Sequence, residues 1–138
     1  MINFDKLFVY TDGACRGNPG IGAIAVVICD ENENIIKNHS EYIGKTTNNQ
    51  AEYMAILKAL EMAAGLANEV VLFSDSENTV KQLKGVNKVR DMKLKPLFEK
   101  VKEKERLFET VKYTYVRREN NKRVDKLVNK CLDKKLKS

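Results

Sequence analysis

The chain has 138 residues, 43% hydrophobic and 32% charged, with a formal net charge of +6. This size and composition describe one ordinary globular domain, 1–138, able to bury a core without disulfide staples; no run is long enough to cross a membrane. Cys15, Cys29 and Cys131 are odd in number and widely spaced, which excludes a zinc pattern or redox pair, and Cys29 and Cys131 read as small core residues.

Charge is unevenly spread. Residues 1–80 hold 5 Lys+Arg against 11 Asp+Glu, a net −6; residues 81–138 hold 20 against 8, a net +12. A basic half of this kind fits a polyanion partner as well as it fits solvated lysine-rich helix faces. With no secretory leader in view, the expected compartment is cytoplasmic.

In chain order, residues 6–12 read as a buried strand ending at Asp12. Residues 13–20, with three glycines and a proline, read as a tight turn. Residues 21–30 and 35–43 read as two further strands joined by the polar turn 31–34, giving an antiparallel meander. The period then changes. Apolar residues at helical spacing over 50–65 predict a helix capped by Thr47 or Asn48. A short strand over 69–74 ends at Asp75, a helix over 76–84 stops at Gly85, and a helix over 94–108 accepts Pro96 in its first turn. A fifth strand spans 110–116, a basic loop 117–123, and a last helix 124–136 carries Val124, Leu127, Val128, Cys131 and Leu132 on one face. The Lys-rich end, 134–138, is expected to fray. The order βββ-α-β-α-α-β-α implies a five-stranded mixed sheet, three strands antiparallel and two parallel, flanked by helices.

Four acids stand in distinctive neighbourhoods. Asp12 lies in Tyr10-Thr11-Asp12-Gly13-Ala14-Cys15-Arg16-Gly17-Asn18-Pro19-Gly20, Glu52 in Thr47-Asn48-Asn49-Gln50-Ala51-Glu52, Asp75 in Ser74-Asp75-Ser76, and Asp125 four residues after Asn121. Singly, each has a bland explanation: a turn acid, a residue favoured by the helix dipole, an N-cap. Together, three of the four lie at strand ends or helix starts that face the same sheet edge, and metal ligation is the simplest cause. Hard cations such as Mg2+ take carboxylate oxygens, and a pair of them about 4 Å apart can activate a water and hold the leaving oxygen of a phosphodiester. The glycine-rich turn lacks the Gly-Lys-Ser/Thr ending of a phosphate loop and leads into a strand, so it is not a nucleotide-binding fingerprint.

These segments, in this order and over nearly the whole chain, resemble the type 1 ribonuclease H family. The resemblance implies a ribonuclease H-like fold and endonucleolytic hydrolysis of the RNA strand of RNA/DNA hybrids, leaving 5′-phosphate ends. It implies Asp12, Glu52, Asp75 and Asp125 as metal-binding acids for two Mg2+ ions, with Mn2+ as a substitute. Asp12 would bridge the ions, with Glu52 and Asp75 on one and Asp125 on the other. Gly13, Asn18, Asn48 and Asn49 match positions that contact the hybrid, and Thr46 or Thr47 a DNA-strand phosphate.

Three departures qualify the carry-over. The only histidine, His39, lies in the third strand and cannot be the histidine that many members carry before the last acid; the loop offers Arg117 and Arg118 instead, and Arg118 is the candidate for a catalytic role. The chain has no Trp and only a short segment, 85–93, where other members carry a Trp-bearing basic protrusion. Glu77 stands where a neutral polar residue is usual. A monomer without an obligate protein partner is expected. The rival readings are a hybrid- or RNA-binding domain that has lost catalysis, a nuclease that also cuts double-stranded RNA, and a DNA-processing enzyme of the wider fold.

Overall fold

A computed structural model describes residues 3–137. Strands β1 (Phe4–Arg16), β2 (Gly20–Cys29) and β3 (Ile35–Thr46) lead into helix α1 (Asn48–Ala63). Strand β4 (Ala67–Ser74), helices α2 (Glu77–Leu83) and α3 (Lys95–Glu105), strand β5 (Thr110–Tyr115) and helix α4 (Lys122–Lys137) follow, with a single 3-10 turn at Arg118–Asn120 before α4. The strands form one five-stranded sheet in the order β3-β2-β1-β4-β5. β1 and β3 flank β2 antiparallel, while β4 runs parallel to β1 and β5 parallel to β4. This is the mixed sheet expected from the element order.

The sheet is covered on both faces. Leu7, Val9, Val26, Ile28, Val70 and Leu72 pack with Tyr53, Ile56 and Leu60 of α1 and Val101 of α3. Ala23, Ala25, Val27 and Cys29 on the opposite face of β2 meet Val124, Val128 and Leu132 of α4. That double burial explains why β2 is an unbroken apolar run rather than an alternating one. The small side chains Ala23 and Ala25 let α4 approach the sheet closely.

Several boundaries differ from the sequence expectation. Gly13–Arg16 belongs to β1 and pairs with Ile21–Ile24, so the turn shrinks to Gly17–Pro19. Gly17 has φ +81°, which a glycine adopts freely, and the Asn18–Pro19 peptide is cis. Helix α1 starts at Asn48 because Thr47 is its N-cap: the Thr47 hydroxyl accepts from Gln50 N–H, and the Gln50 side chain reaches back to Thr47 N–H, forming a capping box. Glu52 therefore lies in the second turn of α1, not the first. Helix α3 ends at Glu105, three residues early. Helix α4 starts two residues early and continues through Lys137, so lysines 134, 135 and 137, expected to fray, are helical; Lys135 sits 4.7 Å from the centroid of the Tyr42 ring, and Leu132 is buried one turn earlier. Ser138 lies outside the described residues. No helix among the described residues is long and apolar enough to cross a membrane.

Candidate active site

The site is built where the parallel pairing of β1 and β4 ends: β4 stops at Ser74 while β1 runs on to Arg16. The register pairs Tyr10 with Phe73, so two residues further on Asp12 and Asp75 emerge side by side. Asp75 follows Ser74, the last residue of β4, and the next helix is capped by Ser76 rather than by Asp75. That leaves the Asp75 carboxylate free of capping duty.

Glu52 reaches the same point from α1. The helix can come this close only because Gly13 has no side chain: a Cβ there would collide with the Ala51 carbonyl. Gly13 N–H donates to Glu52 Oε1 at 3.4 Å, and Ser74 Oγ donates to Glu52 Oε2 at 3.3 Å. One carboxylate oxygen from each of Asp12, Glu52 and Asp75 lies within 4.8 Å of the others. Asp125, in the first turn of α4, lines the same cleft of about 470 Å³.

Burial and crowding disfavour negative charge here. Asp12 and Glu52 are 3% and 7% exposed. Desolvation, then the Asp75 charge and with it that of Asp125, push the Asp12 carboxyl up to about 8. Glu52 is held well above the usual carboxylate range by burial first and then by Asp12 and Asp75. Asp75 is raised by burial, with the Asn121 amide and the Arg118 guanidinium pulling the other way. Asp12 Oδ2 is buried with no hydrogen-bond partner. Oxygen-only ligands that crowd one another and leave a buried carboxylate oxygen unsatisfied fit a hard divalent cation, whose charge would relieve all three.

The other residues singled out from the sequence divide into two groups. Gly13, Asn48, Asn49 and Arg118 line the cleft. Asn18 does not line it, but its Oδ1 accepts from Asn48 N–H at 3.1 Å, while Asn48 Oδ1 accepts from Cys15 N–H at 3.1 Å. These bonds clamp the β1–β2 turn onto the start of α1. Thr46 and Thr47 stand apart from the cleft: Thr46 is buried and Thr47 is engaged as the helix cap. Arg117 is 77% exposed beside Glu119. Glu77 also lies outside the cleft and pairs with Lys81 at 3.8 Å, one helical turn on. His39 pairs with Val26 in the sheet and contacts Glu41 through Nε2 at 3.0 Å.

Two contributors were missed from the sequence. Ser74 bonds Glu52, and the available signal was a polar residue at a core-facing strand position, in step with Val70 and Leu72. Asn121 bonds Asp75, and the signal was an amide four residues before an acid at a helix start.

A family model described as "Reverse transcriptase-like" matches residues 10–131. The chain is 37% identical over 129 residues to the "Ribonuclease HI" of Halobacterium salinarum, covering 93% of this chain and 65% of that one. It is 33% identical over 130 residues to "Bifunctional protein Rv2228c" of Mycobacterium tuberculosis, covering 93% of this chain and 36% of that one. The chain thus spans under two thirds of either relative. Among solved structures, LC11-RNase H1 in complex with RNA/DNA hybrid superposes with a TM-score of 0.89 at 42% identity, covering 94% of this chain and 99% of that one. With the sheet order, the carboxylate cluster and these matches in agreement, the chain belongs to the type 1 ribonuclease H family.

Proposed function

We propose that this chain is an endoribonuclease that hydrolyses the RNA strand of RNA/DNA hybrids and leaves 5′-phosphate ends. The observation that carries the reading is the cluster of the buried Asp12 and Glu52 with the half-buried Asp75, and Asp125 at its edge. The cofactor is Mg2+, two ions per site, with Mn2+ as a substitute. Asp12, Glu52 and Asp75 would hold the ions together, with Asp125 as the further ligand at the edge of the cleft. Bound there, the ions supply the activated water and neutralise charge on the leaving oxygen, so no side-chain nucleophile is required.

The chain's own residues orient the substrate. Glu52 is held at both oxygens by Gly13 N–H and Ser74 Oγ, which fixes its direction before metal arrives. Asn48 and Asn49, at the exposed start of α1, offer amides to the hybrid's minor groove, where the 2′-hydroxyl distinguishes RNA from DNA. Arg118 offers a fork of donors and no acceptor, which suits a phosphate beside Asp75. Lys122, Lys126, Lys130 and Lys134 repeat every four residues along α4, lining a depression that shares Asp125 and Asn129 with the cleft. A row of cations leading out of the cleft suits a phosphate backbone. Residues 1–138 act as one domain, monomeric and cytoplasmic, with no obligate protein partner.

The test is incubation with a labelled hybrid in Mg2+ and mapping of the ends. Internal cuts in the RNA strand with 5′-phosphates are expected. Intact RNA at high enzyme, or 3′-phosphate ends, would sink the reading.

A further inference from the structure

We infer that Arg16 is a positioning residue of this site: it ties the middle of α4 to the end of β1 and so fixes where Asp125 stands relative to the other three acids. The inference rests on the proposed metal-dependent reading of the cleft and adds a residue to it.

Asp125 is the one acid of the four that α4 carries, and it stands at the edge of the cluster formed by Asp12, Glu52 and Asp75. Its position is therefore only as definite as the seat of the helix. The apolar face of α4, Val124, Val128 and Leu132, rests on Ala23, Ala25, Val27 and Cys29. Such packing holds the helix on the sheet but is non-directional. The head of the helix is pinned where the Asn121 amide donates to the Thr11 carbonyl at 3.0 Å. A helix pinned at one end can still pivot. The second pin is Arg16, the last residue of β1. Its Nη2 donates to Asn129 Oδ1 at 3.3 Å and to the Asn129 carbonyl at 3.5 Å, and pairs with Asp133 Oδ1 at 2.8 Å. Asp125 lies midway between Asn121 and Asn129, with about 6 Å of helix rise on either side.

Asn129 relays the tie. Its Nδ2 donates to the Asp125 carbonyl at 3.0 Å. A guanidinium only donates and a carbonyl only accepts, so the amide has one orientation, oxygen to Arg16 and nitrogen to Asp125. Asparagine is a poor helix former because its amide competes for backbone groups. Here that competition is aimed at the residue whose placement matters. The same stretch of chain also holds the opposite wall of the cleft. Cys15 Sγ donates to Asn48 Oδ1 at 3.3 Å, and Asn18 Oδ1 accepts from Asn48 N–H at 3.1 Å. Successive strand residues face opposite sides of a sheet, so Cys15 and Arg16 engage helices on opposite faces. The end of β1 is thus a brace between α1, which carries Glu52, and α4, which carries Asp125.

The plain alternative is an ion pair that only stabilises the fold, and its exposure weighs against that. The side chains of Arg16 and Asp133 are 36% and 57% exposed, and pairs so open to water contribute little to stability. The part of the contact that reaches the site is the bond to Asn129, not the charge on Asp133. The two are separable. Asp133→Asn removes the charge pair and keeps the bonds to Asn129, whereas Arg16→Ala removes both.

The experiment is calorimetric titration of Mn2+ into metal-free wild type, Arg16→Ala, Asp133→Asn, Asp125→Asn and the variant combining Arg16→Ala with Asp125→Asn. Arg16→Ala should weaken Mn2+ binding about tenfold, the low end of the effect for groups that orient metal ligands, and lower Tm by under about 4 °C. Asp133→Asn should stay within about twofold of wild type. In the Asp125→Asn background, Arg16→Ala should cost under about threefold, because the carboxylate it places is gone. Unchanged affinity in Arg16→Ala, an equal loss in Asp133→Asn, or an equal loss with and without Asp125 overturns the inference. The titration contains no nucleic acid, so wild type that binds Mn2+ yet leaves hybrid intact refutes the proposed function and leaves this result standing. Nuclear Overhauser contacts in the metal-free wild type give a reading that needs neither metal nor a folded variant. The Arg16 side chain should show them to the Asn129 side chain, and their absence overturns the inference equally.

Discussion

Replacing Asp12 with Asn keeps the side chain's shape and removes one charge from the most crowded point of the cleft. In the metal-free protein the Asp12 carboxyl is pushed from 3.8 up to about 8 by burial and by Asp75. Between these values the folded state holds a proton that the unfolded chain has already lost. Stability is therefore complete below about pH 4 and declines as pH rises towards 8. Glu52 and Asp75 are shifted in the same direction and add to the slope. A shift of about four units, at about 1.4 kcal/mol each, caps the effect at about 6 kcal/mol. Water in the open cleft screens part of it, and we expect Asp12→Asn to gain about 2 kcal/mol at pH 8. In a chain of this size that is about 6 °C in Tm. The assay is thermal unfolding of wild type and Asp12→Asn in EDTA at pH 4.5, 6 and 8, repeated with excess Mg2+. The gain should be near zero at pH 4.5 and largest at pH 8 in EDTA. Mg2+ should narrow it by stabilising the wild type. A gain independent of pH, or a variant less stable than wild type at pH 8 in EDTA, would refute the electrostatic reasoning.

Other outcomes follow from the same geometry. Gly13→Ala drives a Cβ into the Ala51 carbonyl and should destabilise by about 3 kcal/mol, seen as a fall in the urea midpoint. Hybrid affinity should fall steeply between 50 and 200 mM salt, by about tenfold or more, and neutralising Lys126 and Lys130 together should flatten the slope in a filter-binding titration. Arg118→Ala should lower kcat about tenfold or more with little change in affinity, whereas Arg117→Ala, 77% exposed, should act on affinity alone; an unchanged kcat for Arg118→Ala removes it from the site.

The sheet was legible because its elements announce themselves locally. The unbroken apolar β2, the helical spacing of α1 and the one-sided α4 each follow from what they bury. The acids were legible as a set, since four of them in such distinctive neighbourhoods have no shared structural use. What was hidden depended on contacts distant in sequence. Gly13 stands out as a hybrid-contacting position, but the second use of its missing side chain, admitting the backbone of α1, depends on Ala51 far along the chain. The bonds that tie Thr46 and Thr47 to Gln50 appear only once the strand and the helix are placed against each other. Ser74 and Asn121 carry no local mark of their partners, which lie 22 and 46 residues away. The lysine row on α4 was visible only as net charge until the helix placed Asp125 at its head.

The most direct test of the whole account is a matched set of RNA/DNA, RNA/RNA and DNA/DNA duplexes of one sequence, each incubated with wild type and Asp12→Asn in Mg2+, Mn2+ or EDTA. Wild type should cut the RNA strand of the hybrid with either metal and leave DNA/DNA intact. EDTA and Asp12→Asn should each abolish cleavage, with the variant still folded. Hybrid cleavage by Asp12→Asn at near wild-type rate, or cleavage that persists in EDTA, would contradict the assignment of these carboxylates to a metal-dependent site.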